Sequence, residues 1–214
     1  MIRLIYFFAT LLYNCSEKGE MAMKEYTAKD ESGYFQISEA VKSGMTKETA
    51  MHYARDKKLI KVAHGVYQEE GAWPDPLYLL QLRNKKIVFS HETALFLHGL
   101  SDREASHPVV TVQRGYNAKH LKDAGVVVHT VMGKWFDIGL SETETNAGNP
   151  VKVYDRERCI CDIIRARKRM DPQVFQTAIR TYFSDAEKDI RKLLKYSREF
   201  GQEEIVRQYA EVLL

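Results

Sequence analysis

The chain has 214 residues, a formal net charge of +3, 44% hydrophobic residues and 29% charged ones. That length buries one good core or two small ones, and the hydrophobic fraction fits a soluble globular protein. The charge is too mild for indiscriminate coating of nucleic acid, so any such contact must rest on local basic patches. Cys15 stands alone and Cys159 and Cys161 are separated by one residue on a predicted helix, which points their thiols to different sides. This pattern argues for a reducing, cytoplasmic compartment, with neither disulfide nor metal site.

The first fifteen residues, MIRLIYFFATLLYNC, carry one arginine before an apolar run. The run is shorter than the roughly 20 residues a membrane-spanning helix needs, and no small-residue cleavage site follows it. Residues 1–25 are therefore expected to form a packed N-terminal helix, clasping the C-terminal domain or a second protomer, with Met21 and Met23 as alternative translation starts.

Residues 26–72 are predicted to be a winged helix-turn-helix domain, written most clearly in GYFQISEAVKSGMTKETAMHYARDKKLIKVAHGVYQ from Gly33 to Gln68. Phe35, Ile37, Ala40 and Val41 give a first helix its apolar stripe, and Ser43-Gly44 stops it. Gly44 supplies the positive φ of a sharp turn and Met45 pins that turn to the core. Thr46 caps a second helix, with Glu48 placed against the positive end of its dipole. Ala50, Tyr53 and Ala54 face inward on that helix. Its outer face carries side chains of the kind that reach base edges, so Lys47, Thr49, His52 and Arg55 are candidate base readers beside Thr46. Two short β-runs about His64-Gly65 form the wing, where Lys57, Lys58, Lys61 and His64 are candidate phosphate contacts.

The pattern breaks over Glu69 to Asp75, which places a domain boundary there and a second domain at residues 76–214. In SHETALFLHGLSD, Ser90 to Asp102, Ser90 is the expected N-cap, Gly99 the stop, and Ala94, Leu95 and Leu97 the core of a short helix. His91, Glu92 and His98 lack the i,i+4 histidine pair of a helical zinc motif, so packed or capping histidines are expected. Val109–Val112, Val126–Val131 and Val151–Tyr154 are β-branched runs that make a small sheet, and Gly133–Pro150 is either a mobile loop or an irregular strand pair. A helix follows from Arg156 to about Met170, with Ile160, Ile163 and Ile164 inward and a basic cluster, Arg165, Arg167, Lys168 and Arg169, near its end. Further helices are expected from Asp171-Pro172, over Asp185–Glu199 and over Glu203–Leu214, with Phe175, Ala178, Ile179 and Tyr182 inward on the first of them. The fold class is α+β.

Three blocks together, Gly33 to Tyr67, Ser90 to Asp102 and VKVYDRERCICDIIRARKRMD from Val151 to Asp171, resemble the AbiEi family of abortive-infection antitoxins over most of the chain after Tyr26. The resemblance implies the antitoxin of a bacterial type IV toxin-antitoxin pair, opposing a nucleotidyltransferase-like toxin without a stable complex. It also implies a repressor of its own operon, bound to double-stranded promoter DNA with inverted repeats as a monomer or weak dimer that pairs on DNA. The antitoxin activity is expected in the C-terminal domain, where Arg165, Arg167, Lys168 and Arg169 are the candidate surface. No enzyme activity, cofactor or membrane partner is expected. Two other readings stay open. Asp155, Glu157 and Asp162 with Lys152 contain the groups of a metal-dependent nuclease, although the same clustering serves salt bridges and a helix start. A ligand-responsive winged-helix repressor with an effector pocket in the C-terminal domain is the other.

Overall fold

The computed structural model describes residues 33–213, so the helix expected within 1–25 and Cys15 lie outside the described residues. The chain is of mixed α+β class and divides into two compact units, Met1–Pro74 and Asp75–Leu214.

The first unit runs β1 (Tyr34–Gln36), α1 (Ile37–Lys42), α2 (Lys47–Asp56), β2 (Ile60–Ala63) and β3 (Val66–Gln68). Its three strands form an antiparallel sheet in the order β1-β3-β2. Phe35 belongs to β1 rather than to the first helix, opposite Tyr67. The chain enters helix only at Ile37, whose amide donates to the Gly65 carbonyl at 2.9 Å. Val41 correspondingly turns to solvent, 43% exposed, while Phe35, Ile37, Ala40, Met45, Ala50 and Ala54 make the core. The two alanines of α2 let it lie close on α1, and Gly44 takes its positive φ of 103° in the turn between them.

The end of α2 is closed by a Schellman pair. The Lys58 amide donates to the Arg55 carbonyl and the Leu59 amide to the Ala54 carbonyl, which puts Lys58 at φ 54°, a left-handed position usually filled by glycine. Leu59 packs on the core just described.

The second unit is a five-stranded mixed sheet in the order β6-β5-β4-β8-β7, from β4 (Val88–Phe89), β5 (Val109–Gln113), β6 (Val127–Val131), β7 (Leu140–Glu144) and β8 (Pro150–Tyr154). β5 runs parallel to β6 and β4 parallel to β8, while β4–β5 and β7–β8 are antiparallel. The Gly133–Pro150 stretch resolves into a short helix and the outer strand of this sheet. The helices are α3 (Pro76–Arg83), α4 (His91–Leu97), α5 (Lys119–Asp123), α6 (Gly133–Phe136), α7 (Arg156–Ala166), α8 (Pro172–Ser184), α9 (Ile190–Glu199) and α10 (Glu203–Leu213). A 3-10 turn, Arg167–Arg169, follows α7. The helix predicted over Asp185–Glu199 starts at Ile190, because the Asp189 side chain caps it through the Lys192 amide.

α7 is the centre of this unit and packs against α4, α8 and α9. Apolar burial alone does not hold it. Glu157, Arg158 and Asp162 are buried with Ile160, Ile163 and Ile164. Burying a charge is tolerable only when it is paired and hydrogen-bonded. Arg158 is 0% exposed and gives Nε to Asp162 at 3.0 Å and Nη1 to the Trp135 and Ile138 carbonyls at 2.7 and 2.8 Å. Its guanidinium also lies over the Tyr154 and Phe200 rings at 4.2 and 4.4 Å. Gly139, at φ 77°, lets the loop pass close beside Arg158, where a Cβ would sit 2.6 Å from the arginine Cβ. Among the described residues no helix is long and apolar enough to cross a membrane.

Candidate nucleic-acid interface

On α2 the Thr46 hydroxyl accepts from the Thr49 amide at 3.2 Å and lies 3.0 Å from the Thr49 hydroxyl. Thr46 thus starts the helix, its hydroxyl shared between the Thr49 amide and the Thr49 hydroxyl. Lys47, Thr49, His52 and Arg55 are all exposed. Glu48, His52 and Arg55 recur at four- and three-residue spacing and so share one stripe, opposite the buried Ala50 and Ala54. Lys57 and Lys58 follow the helix, Lys61 sits on β2, and His64 forms the β2–β3 turn with Gly65 at φ 69°. Among the described residues none of Lys47, Arg55, Lys57, Lys58 and Lys61 is in an ion pair, whereas Lys42 on α1 is held by Glu39 at 2.8 Å. The outer face of α2 and the hairpin thus present cations that make no ion pair among the described residues, with Glu48 on the same stripe, on a framework fixed by alanine packing and a capped start.

The candidate surface of the second unit is less uniform than a basic run on one helix. α7 ends at Ala166, so Arg167, Lys168 and Arg169 belong to the 3-10 turn and fan out differently from Arg165. Arg165 is also engaged, its Nη2 donating to Asp162 at 2.9 Å and its guanidinium lying 5.6 Å from the Phe200 ring centroid. Arg167 and Lys168 are exposed, and Arg169 lines a cavity of about 610 Å³ together with Arg103, His91, Glu92, His107 and His129.

The floor of that cavity is a polar cluster that spacing does not reveal. His91, at φ 49° and 3% exposed, stacks on His129 with ring centroids 3.7 Å apart and planes 13° from parallel. Ser90, at the N-cap position of α4, makes no cap bond. Its hydroxyl accepts from Thr111 at 2.8 Å and lies 3.1 Å from His91 Nδ1. Thr93, rather than Leu97, is a buried residue of α4, and its hydroxyl accepts from the Val109 amide at 2.8 Å. Burial first, then the neighbouring His129, Arg165, Arg158 and Arg169, hold His91 well below the ordinary imidazole range. His98 is elsewhere, its Nε2 2.7 Å from the Tyr154 carbonyl, so the two histidines of HETALFLH do not converge. Burial also holds His98 and His129 below the usual range, opposed by the Tyr154 carbonyl at the first and by Asp162 at the second.

Of the carboxylates considered for a nuclease, Asp155 and Glu157 meet at Lys192 and Asp162 is held apart from them. Asp155 caps α7 through the Arg158 amide at 2.8 Å and pairs with Lys192 at 3.0 Å. Glu157 pairs with Lys192 at 3.1 Å and accepts from Tyr182 at 3.2 Å. Asp162 is taken by Arg158 and Arg165. Lys152 points its side chain outward, while its backbone amide donates to Gln81 at 2.6 Å. Among the described residues no three histidine, cysteine or carboxylate groups stand where they would hold a metal ion. Cys159 and Cys161 are buried and unbridged, their thiols directed to the Tyr154 and Leu193 carbonyls on different sides of the helix. Burial pushes the Cys161 thiol up to about 12 and the Cys159 thiol well above its ordinary value, which makes both inert as nucleophiles.

No family model matches the chain, and no curated protein does. Among solved structures the chain is similar in fold to the RV2827C protein from Mycobacterium tuberculosis, with a TM-score of 0.54 and 14% sequence identity, covering 92% of this chain and 76% of that one.

Proposed function

We propose that the first unit is a winged helix-turn-helix that reads promoter DNA, and that the chain is an AbiEi-like antitoxin which represses its own operon and counteracts its toxin through the second unit. The DNA reading is carried by one observation: α2 exposes His52 and Arg55 on a stripe, and Lys57, Lys58 and Lys61 flank it with no ion pair among the described residues. Free cations beside a capped, tightly packed helix are what phosphate anchoring and base-edge contact need. The antitoxin role rests on the resemblance of the three sequence blocks, with the exposed Arg167 and Lys168 as its candidate contact surface.

Binding of the full chain to a duplex from its own upstream region, with a scrambled duplex alongside, tests the first part. Arg55→Ala is expected to cost about 1–3 kcal/mol and to relax preference at one base position, while Lys61→Ala weakens both duplexes alike and lowers the salt slope by about one unit. Equal losses on both duplexes for Arg55→Ala would refute base reading. Growth rescue in cells expressing the neighbouring gene product tests the second part, comparing the full chain with a variant in which Arg165, Arg167, Lys168 and Arg169 are alanine. Failure of the full chain to rescue removes the antitoxin reading and leaves a repressor. A ligand-responsive repressor is the second reading, favoured by the 610 Å³ cavity over the His91–His129 stack, and a metabolite-dependent change in DNA affinity would select it.

A further inference from the structure

We infer that the second unit binds a nucleotide, its phosphates held by Lys85, Lys86 and Arg114 and its base stacked on Tyr116. These residues, with Gln113 and Asn117, line a depression of about 560 Å³. It lies at one end of the sheet, where the chain enters antiparallel β4 and leaves β5 and β6. Open α/β sheets place ligands outside the carboxyl ends of parallel strands, the position this pocket has on the β5–β6 pair. Its volume is within the roughly 300–1,000 Å³ of sites for small organic ligands.

Charge distinguishes this pocket from the larger cavity. The larger one mixes Arg103 and Arg169 with Glu92, Glu104 and Asp171, and Arg103 already pairs with Asp171 at 3.5 Å. The smaller one has three cations and, among the described residues, no carboxylate in its lining and no ion pair to any of the three. Like charges held together in a concave wall concentrate a positive potential, and a phosphate relieves their repulsion. Two aromatic rings and two amides complete the lining. Phosphate alone needs neither, whereas a base uses a π-face for stacking and amides for its edge.

The wall is built before any ligand arrives. The Tyr116 amide closes a tight turn on the Gln113 carbonyl at 3.1 Å, with Gly115 at φ 95°, so a single turn carries both Arg114 and Tyr116. The Arg114 amide ties that turn to β6 by donating to the Val131 carbonyl at 2.8 Å. The loop bearing Lys85 and Lys86 is pinned at Asn84, which donates to the Leu80 carbonyl at 2.9 Å and lies 2.8 Å from His120 Nε2. Phe136 is fixed by the Tyr154 hydroxyl, which donates to its carbonyl at 3.0 Å. Preorganised loops lose little freedom on binding, so a small ligand suffices. The ligand chemistry, base plus phosphate, is common to a free nucleotide and to the terminal nucleotide of a single-stranded RNA. Neither depends on whether α2 reads DNA.

The full-length chain, titrated with ATP, GTP, CTP and UTP, with tripolyphosphate, and with a short single-stranded oligoribonucleotide, tests this directly. At least one nucleotide is expected to bind about tenfold tighter than tripolyphosphate, the share that one stacked base contributes. Arg114→Ala should weaken every probe about tenfold or more, and Tyr116→Ala should reduce the nucleotide to the affinity of tripolyphosphate. Gly133→Ala provides a variant that changes no charge: its Cβ would stand 2.6 Å from Gln113 Nε2 and displace that amide, so preference among the four bases should shift while tripolyphosphate binding stays. Displacement of the nucleotide by the oligoribonucleotide at lower concentration identifies an RNA end as the source, and the reverse order identifies a free nucleotide. Tripolyphosphate binding as tightly as every nucleotide, with Tyr116→Ala neutral, overturns the proposal in favour of a plain anion patch. So does the absence of binding by any probe at millimolar concentration in a chain whose unfolding transition is intact.

Discussion

Acidification should destabilise the second unit above the range in which carboxylates titrate, because three of its histidines resist protonation. His91, His98 and His129 all lie below the ordinary value of 6.5, with burial the largest cause in each. In the unfolded chain each takes up a proton as pH falls through that value, and the folded chain takes up fewer. Their contribution is therefore complete above pH 6.5 and is lost as pH falls from there toward each folded value. A histidine that stays neutral in the folded state costs about 1.4 kcal/mol per pH unit below its unfolded pKa. His91 is buried enough to carry that slope in full, while the half-buried His98 and His129 carry part of it. The expected loss over one pH unit below 6.5 is about 1.5–3 kcal/mol, against a typical domain stability of about 5–15 kcal/mol. Asp185 and Glu203, held down by Arg156 and Arg198, lose their pairs only below the ordinary carboxylate values of 3.8 and 4.5. Urea unfolding between pH 7.5 and 5 reads the effect through Trp135, which packs edge-on against Phe200, because the other tryptophan, Trp73, is 89% exposed and in the first unit. His91→Asn tolerates the left-handed backbone and removes the titration, so its acid slope should be shallower by about 1.4 kcal/mol per pH unit. A stability independent of pH over this window, or an unchanged slope in His91→Asn, refutes the reasoning.

Asp162→Asn should destabilise the second unit by about 3–5 kcal/mol in the same urea assay, because it strips the counter-charge from a fully buried Arg158. Gly139→Ala should cost at least about 2 kcal/mol, combining a left-handed alanine with a Cβ driven to 2.6 Å from that of Arg158; a neutral result would mean the loop can move away. Lys58→Gly should stabilise the first unit by about 0.5–1 kcal/mol in thermal unfolding, since glycine accepts the left-handed position at lower cost.

Where the chain's structure is local, it is legible in the residues. Thr46 and Asp171 cap their helices as their types predict, and the spacing of Ala50 and Ala54 marks the buried side of α2. Val109–Val112 form an inner strand buried on both faces, which selects a continuous β-branched run, while in Val151–Tyr154 the exposed Lys152 between buried Val151 and Val153 gives the alternation of a strand. The misses are non-local. β1 is three residues long, all buried, and is a strand only because Val66–Gln68 arrives beside it, so helical spacing captured Phe35. β7 lies on the edge of the sheet with Glu142 and Glu144 exposed and only Ser141 and Thr143 half-buried, so it lacks an apolar face to betray it. α3 went unnoticed behind the boundary although Asp75 caps it, and Gln81, a polar residue in an apolar run, is buried because it serves both the amide and the carbonyl of Lys152. Of the candidate site residues, those on α2 and the hairpin cluster because they are neighbours in sequence. His129 meets His91, and Tyr116 and Arg114 join Lys85, only through strand pairing, and no spacing rule reaches that far.

The parallel pairing of Phe89 with Val153 sets the order in which the chain is made ready. The ladder joining the two halves of the larger sheet cannot close until β8 has been synthesised, with everything from α4 to β7 held in the intervening loop. The small sheet of the first unit is complete once Gln68 emerges. Contacts between distant segments are slow to form, since the entropy of loop closure must be met before any contact repays it. On the ribosome the first unit therefore folds while the second is still unfinished. A refolding experiment should show an early phase silent to Trp135, followed by a slower one in which that fluorescence appears.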